Sequence, residues 1–164
     1  MKLYQGESME IKLWINDKEF KDDILPDTVL IDFLRSKGFY SVKKGCETSN
    51  CGLCTVLMEG KPILSCSTLA LRANDSHVTT IEGIESEALE FGEFLSDQGA
   101  EQCGFCSPGF IMTVIAMKKE LKNPSEEEIK NYLNGNLCRC TGYMGQLRAI
   151  KKYLDSFNEI GGKY

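Results

Sequence analysis

No stretch of the chain is long and apolar enough to cross a bilayer: the longest apolar run, Phe110 to Met117, falls far short of the roughly 20 residues that a helical span takes. Basic stripes interleaved with aromatics are also missing. With 24 acidic against 19 basic side chains the net charge is −5 and the pI near 5.0, which argues against nucleic acid as a partner. Lys43 and Lys44 read as solvated surface rather than a docking patch. The opening stretch from Met1 to Glu10 is polar and has no secretory h-region, so the expected location is cytoplasmic. There are no internal repeats, no low-complexity segment, no glycine-rich phosphate loop, no nucleophile–base constellation and no paired-carboxylate site. The single histidine, His77, precedes Val78-Thr79-Thr80 and reads as a surface or turn residue. The single tryptophan, Trp14, reads as sheet packing. No substrate-catalytic residue is expected in this chain.

Cysteine is what the chain has in quantity: eight, with none left over. Cys46, Cys51, Cys54 and Cys66 follow C-x4-C-x2-C-x11-C, and Cys103, Cys106, Cys138 and Cys140 follow C-x2-C-x31-C-x-C. The first triplet has the plant-type spacing for a [2Fe–2S] cluster. In a reducing compartment a cysteine framework means metal or catalysis rather than disulfides. Zinc stays open as an alternative, because structural zinc sites also take four thiolates and favour C-x2-C pairs. Two metal clusters are the more economical reading, and they imply electron transfer.

The two cysteine sets divide the chain into expected domains at 1–82 and 83–164. In the first, Ile11, Leu13 and Ile15 alternate with Lys12 and Trp14 as a half-buried strand does. Asn16-Asp17 offers a turn before a second strand from Phe20 to Leu25. Pro26-Asp27-Thr28 then opens a helix using Val29, Leu30, Phe33 and Leu34, with Gly38 at a left-handed C-cap. Thr55 to Met58 and Pro62 to Leu64 read as strands about Glu59-Gly60. This is a β-rich unit holding a helix, like a β-grasp.

The second half has helical period. Ser107-Pro108 reads as an N-cap with proline at the first helical position, followed by a face of Phe110, Ile111, Val114, Ile115 and Leu121. Ser125 and Glu128 form a capping box. Tyr143, Leu147, Ile150, Leu154 and Phe157 make one face of a closing helix. With a helix over Leu89 to Leu95, a four-helix unit results. The segment 161–164 reads as a frayed tail. The fold class expected is α+β, a β-grasp ferredoxin-like domain followed by an all-α four-helix-bundle domain.

The spacings suit anionic clusters for physical reasons. Gly45 and Gly52 let backbone approach sulfur and permit positive φ, and directed N–H groups balance buried negative charge. Cys106 and Cys140 each precede an expected helix start, where orphan N–H groups and the positive dipole end favour an anion and a thiolate. Arg139, between two cysteines, reads either as an offsetting charge or as a plain salt bridge. Glu126 to Glu128 read as capping and dipole matching.

Three segments then carry a specific resemblance: Gly45-Cys46-Glu47 to Cys51-Gly52-Leu53-Cys54-Thr55-Val56, Gln102-Cys103-Gly104-Phe105-Cys106-Ser107-Pro108-Gly109, and Gly135-Asn136-Leu137-Cys138-Arg139-Cys140-Thr141-Gly142-Tyr143. The chain resembles the small iron–sulfur subunit of the molybdenum hydroxylases, or xanthine oxidase family, from about Glu10 to Phe157. Glu47 stands where aspartate is usual, Leu53 for alanine and Ser107 for threonine; none of these removes a ligand. The resemblance implies two [2Fe–2S] clusters, on Cys46, Cys51, Cys54 and Cys66 and on Cys103, Cys106, Cys138 and Cys140. It implies a partner large subunit carrying molybdopterin, and an FAD-binding subunit. It also implies that Gln102 and Cys140 lie against the pterin, the second cluster receiving electrons and the first passing them towards flavin. A free-standing ferredoxin-like carrier and a zinc-stapled interaction module are the alternatives.

Overall fold

The computed structural model describes residues 7–161, with side chains as far as Phe157. The expected tail therefore lies outside the described residues except for Gly161, which ends the last helix. Strands β1 (Met9–Ile15) and β2 (Lys18–Ile24) form a hairpin. Both turn residues, Asn16 (φ 49°) and Asp17 (φ 64°), are left-handed, as a two-residue hairpin twisted to match its strands requires. That tight turn pairs Ile15 with Lys18, so β2 starts two residues earlier than its apolar content indicates. Strands β3 (Thr55–Met58) and β4 (Lys61–Leu64) repeat the device at Glu59 (φ 50°) and Gly60 (φ 76°). Strand β5 (His77–Thr79) closes a mixed sheet of order β2-β1-β5-β3-β4, parallel only between β1 and β5.

Helix α1 (Leu30–Ser36) lies across this sheet. Ile11, Leu13, Ile15, Leu30, Ile31, Leu34, Val56 and Val78 are all essentially inaccessible and form one core. The helix starts after Val29 rather than at Pro26-Asp27-Thr28. The backbone of 28–30 is first spent on a bridge to the 68–70 segment, through Leu30 N–H to Thr68 O (2.7 Å) and Ala70 N–H to Thr28 O (2.8 Å). Gly38 has φ 93° at the C-terminal end, as expected.

Four helices follow: α2 (Glu85–Asp97), α3 (Ser107–Glu120), α4 (Glu126–Tyr132) and α5 (Met144–Gly161). The architecture is the expected α+β one. Phe91, Leu95, Phe110, Val114, Ile115, Ile129, Leu147, Ile150 and Tyr153 form the second core. The capping box is present in full: Ser125 Oγ accepts from the Glu128 N–H and the Glu128 carboxylate accepts from the Ser125 N–H (2.8 Å).

Three expectations need correction. Cys106, not Ser107, is the N-cap of α3, because Ser107 N–H already bonds Gly104 O (3.1 Å) in a turn that starts the helix one residue early. Tyr143 is not on the face of α5; it sits before the helix at φ 67°, where its carbonyl accepts from Leu147 N–H (2.8 Å). And α3 is buried on every side from Gly109 to Met117, as a helix apolar all round must be. Its second face, Met112 and Ala116, meets Leu57 of β3 in a third cluster that joins the two cores.

Glycine permits that junction. A Cβ on Gly109 would stand 2.3 Å from Gly52 O and 2.9 Å from the Leu53 backbone. Gly109→Ala is expected to lower stability by about 1–3 kcal/mol through overpacking. Gly92→Ala, on α2 with nothing within 4 Å, is expected to raise it by about 0.5–1 kcal/mol by removing a mid-helix glycine. Urea unfolding midpoints of the two variants against the parent check both signs.

Candidate metal centres

Both cysteine sets come together, each from two places in the chain. Cys46, Cys51 and Cys54 lie on the loop between α1 and β3, and Cys66 on the 3-10 turn Ser65–Ser67 after β4. Cys103 and Cys106 lie on the α2–α3 link, Cys138 and Cys140 on the α4–α5 link.

Within each set the thiols meet in twos. Cys46 faces Cys51 and Cys54 faces Cys66. The Cys140 thiol donates to Cys103 Sγ at 3.5 Å and Cys106 faces Cys138, with Cys103 within electrostatic reach of both Cys106 and Cys138. Among the described residues no three His, Cys, Asp or Glu side chains converge as one ion requires. Zinc draws four thiolates around a single centre, whereas an all-cysteine [2Fe–2S] core takes two at each iron. The two-and-two arrangement fits the binuclear group.

The sets also touch each other. Leu137 N–H donates to Cys51 O (2.9 Å), linking the first loop to the residue before Cys138. Gly52, at φ 70°, leaves no room for a side chain: a Cβ would lie 2.3 Å from Gly135 O and 2.7 Å from Asn136 Nδ2.

Residues 15–78 match the family described as a 2Fe-2S iron-sulfur cluster binding domain, and residues 80–151 the family described as a [2Fe-2S] binding domain. The chain is similar to the xanthine dehydrogenase iron-sulfur-binding subunit of Escherichia coli O157:H7, 42% identical over 146 residues that cover 84% of this chain and 89% of that one. It is similar also to the nicotinate dehydrogenase small FeS subunit of Eubacterium barkeri, 40% identical over 131 residues, 78% of this chain and 83% of that one. Among solved structures it matches a chain of quinoline 2-oxidoreductase from Pseudomonas putida 86 with a TM-score of 0.84 and 34% identity, covering 97% of this chain and 100% of that one.

The chain belongs to the small iron–sulfur subunits of the molybdenum hydroxylases.

This iron–sulfur subunit is an electron-transfer component of an oxidoreductase, and the family matches favour iron–sulfur over zinc. Its sulfurs are supplied with backbone donors. The N–H groups of Thr48, Asn50 and Cys51 reach Cys46 and, with the Cys51 thiol, lower its pKa to about 6. The Phe105 N–H lowers that of Cys103. Burial pushes Cys54 and Cys106 up to about 11 and raises Cys51. Burial also opposes ionisation of Cys138, but the Thr141 hydroxyl and the N–H groups of Thr141 and Cys140 outweigh it. The Cys140 pKa is raised by its hydrogen bond to Cys103.

Of the two expected helix-terminal cysteines, Cys106 caps α3, while Cys140 lies four residues before α5. Gly142 (φ 67°) and Tyr143 intervene, and the donors at this end come from a tight turn instead. Gln102 is exposed beside the exposed Cys103. Arg139 is exposed as well. His77 is a surface residue stacked on Trp14, centroids 5.0 Å apart. Lys43 departs from the solvated reading: its Nζ donates to Phe105 O (3.3 Å), 4.8 Å from that ring's centre, and so ties the first loop to the second set. Lys44 pairs with Glu47 at the surface (3.4 Å).

Sequence reasoning missed three residues at the sites. Tyr143 Oη accepts from Cys138 N–H (2.8 Å), Thr141 Oγ1 lies 3.2 Å from Cys138 Sγ, and Ser49 Oγ lies 3.6 Å from Cys66 Sγ. All three stand near cysteines in the sequence, and Thr141 and Tyr143 lie within a segment that carries the resemblance, but helical spacing pointed elsewhere for Tyr143.

Thiolate is the reactive form, so the metal-free chain should alkylate unevenly. At pH 7 iodoacetamide is expected to modify Cys46 first and Cys54 and Cys106 last. The Cys46 rate should rise through pH 6 and level off above it, since the lowered pKa makes the thiolate the major form there. Peptide mass spectrometry against time checks the order.

Proposed function

We propose that this subunit relays electrons from a molybdopterin-binding large subunit to an FAD-binding subunit of a molybdenum hydroxylase. The eight cysteines hold two [2Fe–2S] groups in two domains that meet between residues 82 and 83. Each group, when bound, takes up and gives back one electron. The observation that carries the orientation is unequal exposure. Cys103 and Cys140 open to the surface, and Phe105, Leu137, Tyr143 and Met144, within four residues of the second cysteine set in the chain, are exposed apolar or aromatic side chains, whereas Cys51 and Cys54 are buried. Exposed apolar side chains of this kind are what a partner covers. It supports placing Cys140 and Gln102 against the molybdopterin subunit, with the outer edge of the first loop, at Glu47, Thr48 and Asn50, turned towards the flavin.

The chain's own residues do three things in this reading. The backbone donors at Cys46, Cys103 and Cys138 stabilise negative charge. The Leu137–Cys51 hydrogen bond and the Lys43–Phe105 contact hold the two sets in one fixed relation. The buried faces of β3 and α3 keep water from between them. No side chain of this subunit acts on substrate, so substrate chemistry belongs to the large subunit. Reduced cytoplasmic conditions keep all eight thiols available for iron.

Anaerobic purification from the native host is expected to bring down large chains with molybdenum; a subunit recovered alone with full iron would refute the complex. In that complex, Cys140→Ser is expected to abolish one of two iron–sulfur EPR signals and retain the other. Loss of both would show that the sets are not independent ligand sets.

A further inference from the structure

Thr141 stands at a branch in the hydrogen bonding of the second cysteine set. Its Oγ1 lies 3.2 Å from Cys138 Sγ, lies 3.0 Å from Gln146 Oε1, and accepts the Tyr143 N–H at 3.2 Å. A threonine hydroxyl has one proton to give, and a side-chain amide oxygen can only accept it. A metal-bound cysteine is a thiolate, so its sulfur also can only accept. Two acceptors therefore compete for one proton. Gln146, in the first turn of α5, is only 3% exposed, which leaves little water to replace the hydroxyl as donor to its carbonyl. The Cys106 thiol also donates to Cys138 Sγ, but a metal-bound Cys106 has no proton to give; the donors that remain beside the hydroxyl are the backbone N–H groups of Thr141 and Cys140, held in place by the chain. The hydroxyl alone can turn away.

We propose that Gln146 is a positioning residue that draws the Thr141 proton off Cys138 Sγ and thereby holds down the reduction potential of the group bound by Cys103, Cys106, Cys138 and Cys140. Hydrogen bonds to ligand sulfur favour the more negative, reduced form and raise the potential. An acceptor that withdraws one such bond lowers it. The inference rests on the two-cluster reading above and assigns a task to a residue four positions beyond the motif cysteines and their glycine.

The test is a reductive titration of the whole complex followed by EPR, which reports each iron–sulfur signal separately. Gln146→Met keeps the volume and replaces the amide with a weak acceptor; the midpoint of the second group is expected to rise while that of the first stays put. A tenfold change in the ratio of reduced to oxidised protein at the parent midpoint corresponds to about 59 mV for a one-electron couple, and a rise of about that order is the expected size. With Thr141→Val already in place, the same Gln146 substitution is expected to shift nothing, because no proton remains to be contested. Gln146→Leu repeats the measurement should the methionine variant fold poorly, and an unmoved first signal reports an intact fold. A fall in the midpoint, no shift, or an equal shift with valine at 141 would each overturn the role of Gln146. A parent complex with no second iron–sulfur signal would instead overturn the cluster reading beneath it.

Discussion

Gly52 carries no side chain because the backbone of residues 135–136 stands against it on one side and Gly109 of α3 packs on its carbonyl. That carbonyl is already engaged by Thr55, through its N–H (3.2 Å) and its hydroxyl (2.7 Å). The backbone there is pinned from within the first domain and then pressed upon by the second. Close packing leaves no slack for a methyl group. The hydrogen bond from Leu137 to Cys51 O, the burial of both faces of β3, and the approach of one cysteine set to the other all follow from this contact.

The two sets meet one electrostatic demand by different means. In the first, the loop N–H groups of Thr48, Asn50 and Cys51 point at Cys46 and favour its thiolate, while burial keeps the deeper Cys54 neutral. In the second, Cys106 sits at the end of α3, and Cys138 is wrapped by a turn that supplies two N–H groups and a hydroxyl. Directed amides cost nothing to reorganise when charge arrives, which would suit a bound group whose charge changes by one unit. The hydroxyl is the exception, because it can rotate, and it is the member of the second set that a neighbouring buried amide can influence.

Local pattern made much of this legible. Alternation found β1, the turn residues found both hairpins, and the capping box found α4, since each depends on neighbours a few positions apart. The grouping of the cysteines was legible through spacing, and the ligand roles proposed for them through motif resemblance. The errors have physical causes. The helix face expected for Tyr143 failed because a residue with positive φ cannot continue into α5 from its N-terminal side, and periodicity takes no account of φ. Lys43 looked solvated because nothing near it in sequence is Phe105. The second apolar face of α3 went unread because amphipathic reasoning assumes one buried side, and this helix has a sheet on the other.

By itself the sequence determined the cysteine count, their grouping in fours, the glycines that must lie near them, and the order of β-rich and helical halves. These are matters of composition and short-range period, which the chain carries whatever its long-range contacts. Tertiary structure alone decided which thiols meet in twos, that Cys103 and Cys140 are exposed while Cys51 and Cys54 are buried, that Leu137 bonds Cys51, and that Gln146 reaches Thr141. Each of those depends on distances between segments remote in the chain or on rotations within a turn, and no residue type or spacing encodes them.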